Sequence, residues 1–248
     1  MAERETSPWV YIGIGCLLAV VLAVGSCVAL GWFGMQKAKE MGEAMTDPEQ
    51  RRERVLESLG AEELPPGYHP IMAFSMPLGV MEMAMLGDEP PETDEEGRSV
   101  PSELGSRGFI YIAQRKLGDQ EKELRAYLEG ESRDRGPLDN LELDVGMDRG
   151  EVVKRGRLEI GEVGYLYLIQ RGILHGKGTP DEGIATTFMV ECPSGNDRLQ
   201  MGIWFTPLPE AAIEDTSPDE GLDPILLEGT PGDEEALRQF LRYFDLCS

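Results

Sequence analysis

The chain of 248 residues has little of what enzyme chemistry usually starts from. Its two histidines, His69 and His175, are far apart, and neither lies in a nucleophile motif such as GxSxG. A Ser-His-Asp or Cys-His arrangement therefore has no local support. The four cysteines show no CxxC spacing, which argues against structural zinc. No GxGxxG runs from a strand into a helix, and there is no Walker loop. Basic residues are scarce: 23 Lys and Arg stand against 46 Asp and Glu, for a net charge of −23. Phosphate backbones are bound by clustered cations, so nucleic acid is excluded as a partner class. The same deficit disfavours lying flat on an anionic leaflet. The acidic run from Asp88 to Glu96 lacks the alternation and central glycine of a calcium loop and reads as solvated. No cofactor and no metal ligand set emerges, and the acids are too many to single out a catalytic pair.

What is present is one long hydrophobic segment. From Trp9 to Phe33 no side chain is charged, and Ser26 is the one clearly polar residue. As a helix, the segment would extend about 37 Å, enough to cross a hydrocarbon core of about 30 Å. Trp9, Tyr11 and Trp32 lie near its ends, where amphipathic rings favour the interface. The segment is expected to be a transmembrane helix over 9–33, preceded by a short tail over 1–8. A cleaved signal peptide fits poorly, because no small-x-small site follows the apolar core. The stretch from Ala23 to Cys27 resembles a lipobox with Cys27 as the lipidated residue, but the sequence behind it remains apolar where a lipoprotein turns polar. Lys37, Lys39, Arg51 and Arg52 on the C-terminal flank favour an inside domain, whereas long C-terminal domains translocate largely regardless of charge. The domain is expected outside. Gly15, Ala19, Ala23, Cys27 and Gly31 recur every fourth residue as a small-residue stripe, a pattern that lets two helices approach closely and form a homodimer.

Beyond the anchor, 34–63 reads as a helical stalk or linker. Asp47 is placed to cap a helix that Pro48 opens, with Val55, Leu56 and Leu59 on one face and Gly60 as its stop. Residues 64–248 read as one acidic α+β domain. Strands are expected over 71–76, 80–86, 109–114, 151–160, 163–171, 184–192 and 198–206, from runs rich in β-branched and aromatic residues. Helices are expected over 119–128 and from Asp233 onward, where Leu237, Phe240, Leu241 and Phe244 keep helical spacing. Mobile acidic loops are expected near 87–107, 131–150 and 208–230. Short hairpin connections rather than crossovers point to a mainly antiparallel sheet with packed helices.

That layout resembles the PsbP-like α/β/α sandwich and single-anchor proteins of the Gram-negative envelope. It consists of a Pro-Gly entry at Pro65, Pro66 and Gly67, long hairpins, and a closing helix ending at Tyr243 and Phe244. The resemblance covers roughly 64–247 and implies a binding or assembly role rather than catalysis. It carries no site residue. Cys192 and Cys247, near the ends of a strand and the last helix, can bridge if the domain faces an oxidising space. Met72, Met76, Met81, Met83 and Met85 cluster in the first hairpin. They read as a flexible apolar surface, core or partner groove, although thioethers also suit copper(I). The acidity reads as a solubility device, with an acidic face for a basic partner or cation as the sharper alternative. The chain is thus expected to be a membrane-anchored, non-enzymatic binding or scaffold module of the bacterial envelope with an unidentified protein partner. The alternatives are a tethered, hydrolase-like enzyme lacking a local motif and a lipoprotein.

Overall fold

The computed structural model describes residues 47–76, 79–91, 105, 107–116, 118–133, 147–174, 181–195, 197–208 and 227–247. The expected span over 9–33, its stripe, Cys16, Cys27 and His175 lie outside them, as does most of each expected acidic loop. Among the described residues no helix is long and apolar enough to cross a membrane.

Helix α1 covers Pro48–Leu59. The Asp47 carboxylate accepts hydrogen bonds from the backbone N–H groups of Glu49 and Gln50 and from the Gln50 amide, which satisfies donors the helix itself leaves open. Gly60 ends the helix in the left-handed conformation, at φ 57°. Val55 and Leu59 are fully buried, and α1 packs on the first two strands. Of the stretch expected as a helical stalk or linker over 34–63, residues 34–46 lie outside the described residues, and Pro48–Leu59 packs on the sheet. Its apolar face must leave water, and α1 buries that face as part of the domain rather than spanning a gap.

The domain is built on seven antiparallel strands: β1 His69–Ser75, β2 Met81–Gly87, β3 Gly108–Arg115, β4 Met147–Ile160, β5 Val163–Leu174, β6 Asp181–Glu191 and β7 Arg198–Pro207. Their spatial order is β1-β2-β3-β7-β6-β5-β4. Two meanders, β1–β3 and β4–β7, join where β3 pairs with β7. Between them the chain runs through helix α2, Gln120–Glu129, to reach the far edge. The strand β4 begins inside the stretch expected as a loop over 131–150. Its composition is polar, but an edge strand needs only its backbone ladder with β5.

Side chains alternate between two buried faces. Phe109, Tyr111, Tyr165, Tyr167, Phe188 and Trp204 face α1 and helix α3, Glu234–Leu241. Ile110, Ile112, Leu166, Leu168, Met189 and Met201 face α2, through its Leu124, Tyr127 and Leu128. The result is a three-layer α+β domain with helices on both faces of the sheet. The central strands read as nearly continuous apolar runs because neither of their faces is wet.

The helix α3 is held mainly by aromatic rings. Phe240 stacks on Trp204 at a centroid distance of 4.3 Å and meets Phe109 edge-on at 5.1 Å. Phe244 stacks on Phe109 at 5.2 Å. Tyr68 closes the cluster against Phe240 at 5.3 Å, and its hydroxyl accepts the Trp204 indole N–H at 2.6 Å. Two glycines make room for rings on this face. Phe188 lies over Gly202, its cross-strand partner, and Tyr167 lies over Gly156 in the same way, so a Cβ at either position would meet the ring.

Truncating Phe240 to Ala removes four ring contacts at once. It is expected to cost about 3–5 kcal/mol, read as a lower denaturant midpoint at unchanged slope.

Candidate functional site

The ends of α1 and α3 are joined through the tail that follows α3, which runs toward the end of the sheet formed by the C-termini of β3 and β6 and the N-termini of β2 and β7. Beyond α3 the chain continues over the sheet as a short tail, Tyr243 to Cys247, and three fastenings fix it there. The Phe244 ring is stacked on β3, the Gln200 amide donates to the Leu246 carbonyl at 2.6 Å, and Cys247 is disulfide-bonded to Cys192 at the end of β6. The two cysteine Cα atoms are 5.6 Å apart and separated by 55 residues in sequence. Closing a loop of that length stabilises the fold by about 4 kcal/mol in the chain-entropy description. A fourth tie, from the Asp245 N–H to the Gly60 carbonyl at 3.3 Å, joins the tail to the end of α1.

Between these two helix ends lies an open groove of about 610 Å³. Glu62 and Glu63 follow the α1 stop on one side, and Arg242, Tyr243 and Asp245 follow α3 on the other. Three exposed carboxylates thus face one guanidinium around a half-buried phenol ring. The arrangement suits a cationic group, which can pair with carboxylate and rest on the ring face.

A layer of buried polar side chains supports the tail from below. Tyr111, Tyr165 and Gln200 are almost wholly buried. Arg198 on β7 reaches across β3 to Glu82 on β2, at 2.8 Å, and also donates to the Ala113 carbonyl. Burial pushes the Tyr111 hydroxyl well above the usual phenol range, and the Glu82 carboxylate adds to the effect. Burial likewise pushes Tyr165 up to about 12, with Asp245 reinforcing it. Both phenols are held neutral, as buried hydrogen-bonding groups should be.

Two other polar assemblies fasten the helices. The Tyr167 hydroxyl donates to Glu234 at the start of α3, and Lys154 on β4 pairs with the same carboxylate at 2.9 Å. The phenol and the ammonium hold the Glu234 carboxyl below its ordinary range. On the other face Glu191 receives Arg125 from α2 and Arg157 from β4. Among the described residues no group of three His, Cys, Asp or Glu is placed to hold a metal ion. His69 opens β1 opposite Gly87, away from the groove.

Of the residues singled out from sequence, the structure brings Cys192 and Cys247 together. Gly15, Ala19, Ala23, Cys27 and Gly31 lie outside the described residues. Glu62, Glu63, Arg242 and Asp245 were not anticipated. The one available signal was the Tyr243-Phe244 pair at the close of the last helix, because nothing local ties residues 62 and 63 to the C-terminus.

No protein-family model matches the chain, and no curated protein does. Among solved structures the chain is similar to the Ran-binding protein Mog1p of Saccharomyces cerevisiae. The two share 13% identity over 73% of this chain and 84% of that one, with a TM-score of 0.36. A likeness at that level carries no argument about fold or role.

The raised Tyr165 hydroxyl couples the stability of the fold to alkaline pH. An unfolded phenol titrates near 10, so the fold favours the protonated form of Tyr165. That contribution is full below pH of about 10 and is lost as pH rises through about 12. Unfolding free energy measured against pH should fall in that window, and Tyr165→Phe should flatten the fall. Separately, the double variant Cys192→Ala/Cys247→Ala should lose about 4 kcal/mol in chemical denaturation.

Proposed function

We propose that this chain is a membrane-anchored binding module of the bacterial cell envelope. Residues 9–33 tether it, and its acidic domain faces an oxidising compartment, where it holds a basic segment of a protein partner in the groove between the ends of α1 and α3. The Cys192–Cys247 disulfide carries this reading, because such bonds persist outside the reducing cytosol. It favours the outside placement, against the inside one that the flanking lysines and arginines favour. The groove beside the disulfide supplies the binding chemistry: Glu62, Glu63 and Asp245 on a chain of net charge −23 attract cations and repel acidic competitors. The uncharged run from Trp9 to Phe33 supplies the tether. The small-residue stripe on that run supports a homodimer through the anchor.

Two measurements test this. In spheroplasts, added protease should digest the domain, and thiol alkylation without reductant should leave Cys192 and Cys247 unmodified. A protected domain with two reactive thiols would place it on the cytosolic side and sink the reading. In binding assays a Lys- and Arg-rich peptide should bind in a salt-dependent way, and Glu62→Gln/Glu63→Gln/Asp245→Asn should weaken it about ten-fold or more. Equal affinity in the variant would remove the groove as the site.

A further inference from the structure

The methionines of the first hairpin lie at the margin of the core on the α2 side, where Met81, Met83 and Met85 are half-buried and pack against it. On β2 the residues facing α1, Ala84 and Leu86, are fully buried, whereas Met81, Met83 and Met85 on the other face are only partly covered. On β1, Met72 stands directly opposite Met85, and Phe74 stands opposite Met83. Met76, whose N–H bonds the Met81 carbonyl, is 40% exposed. Met189 and Met201, on the same face nearer the centre of the sheet, are sealed at 1% and 0%. The packing helix α2 lies over β4, β5 and β6. The hairpin therefore presents a half-buried methionine face near the edge of the sheet, with Met76 as its exposed member.

Apolar bulk alone does not call for this composition. A strand is served better by Val, Ile or Thr, which favour the pleated backbone, than by unbranched Met. Besides flexibility, methionine adds a soft, polarisable sulfur to an apolar surface. The register brings these sulfurs within reach of one another. Directly opposed residues have Cβ atoms about 4.5–5.5 Å apart. Residues two apart on one strand are about 6.8 Å apart. Three rotatable bonds on each side chain close the remaining gaps. We propose that the β1–β2 hairpin binds a soft monovalent cation, Cu(I) or Ag(I), through the thioethers of Met72, Met83 and Met85. Among the described residues the usual harder ligand sets are absent, and both described cysteines are tied up in the disulfide. The negative field of the chain draws cations toward the surface without favouring soft over hard ones, and thioether coordination supplies that selectivity. The ion enters and leaves as the monovalent cation, with no redox step.

The test uses the full chain in detergent with Cys16→Ser and Cys27→Ser, so that free thiols do not compete. Ag(I) is titrated while methionine methyl groups are followed by carbon-13 NMR. The expected result is saturation at a single equivalent, with shifts confined to the hairpin methionines and Met189 and Met201 unmoved. The variant Met72→Leu/Met83→Leu/Met85→Leu conserves volume and should keep the thermal midpoint while losing affinity about ten-fold or more. Should the triple variant not fold, Met83→Leu and Met85→Leu are read singly, and each should weaken binding. A flat titration, shifts spread over all methionines, or unchanged affinity in the variants that fold would overturn the proposal.

Discussion

The packing of Phe240 face-on against Trp204 and edge-on against Phe109 is the contact on which the rest of the domain depends. Phe109 belongs to β3 and Trp204 to β7, the two strands that join the meanders. Their pairing brings together residues nearly a hundred positions apart, so it carries a large closure cost that local hairpins do not. A rigid aromatic layer laid across that joint secures it by burying apolar area on both strands at once. Tyr68 extends the same cluster to the entry of the domain and so ties α1 and β1 to α3.

Much of this fold is legible in the sequence, and particular residues show why. The capping pattern at Asp47 and Pro48, the nearly continuous apolar run of β2 and the turn residues between β6 and β7 are all local signals, and the structure follows them. The spacing of Leu237, Phe240, Leu241 and Phe244 announced an amphipathic helix that packs on the sheet. The placement of β7 between β3 and β6 was not legible. Both its faces are apolar, which says that it is central but not which strands flank it. The packing of α1 on the sheet was not legible, because Val55 and Leu59 look alike on a stalk and in a core, and only the presence of β1 and β2 beneath them decides. The start of β4 was hidden because an edge strand can be polar. Of the candidate site, the cysteine pair could be anticipated from its position near two element ends. The carboxylates of the groove come from opposite ends of the domain and meet through tertiary packing alone.

The two edges of the sheet are treated differently. The β4 edge carries Lys154, Arg155 and Arg157 and two irregularities in its register with β5, all of which discourage a further strand from adding. The β1 edge has no charged residue from Pro70 to Ser75, and its protection is a register shift between Pro70 and Met72. The hairpin that bears the methionine face is therefore also the less guarded rim of the sheet. Its surface chemistry and its backbone exposure are features of the same few residues.

The disulfide has a topological consequence. Cys192 and Cys247 enclose β7, the acidic stretch over 209–226 and α3 within one covalent ring. A backbone cut anywhere inside that ring opens it without dividing the molecule. The closing helix, with Phe240 and Phe244, would still be attached to β6 through sulfur. A nicked molecule would remain a single piece in a non-reducing environment and separate into two when reduced, so the redox state of its surroundings decides whether proteolysis there detaches anything.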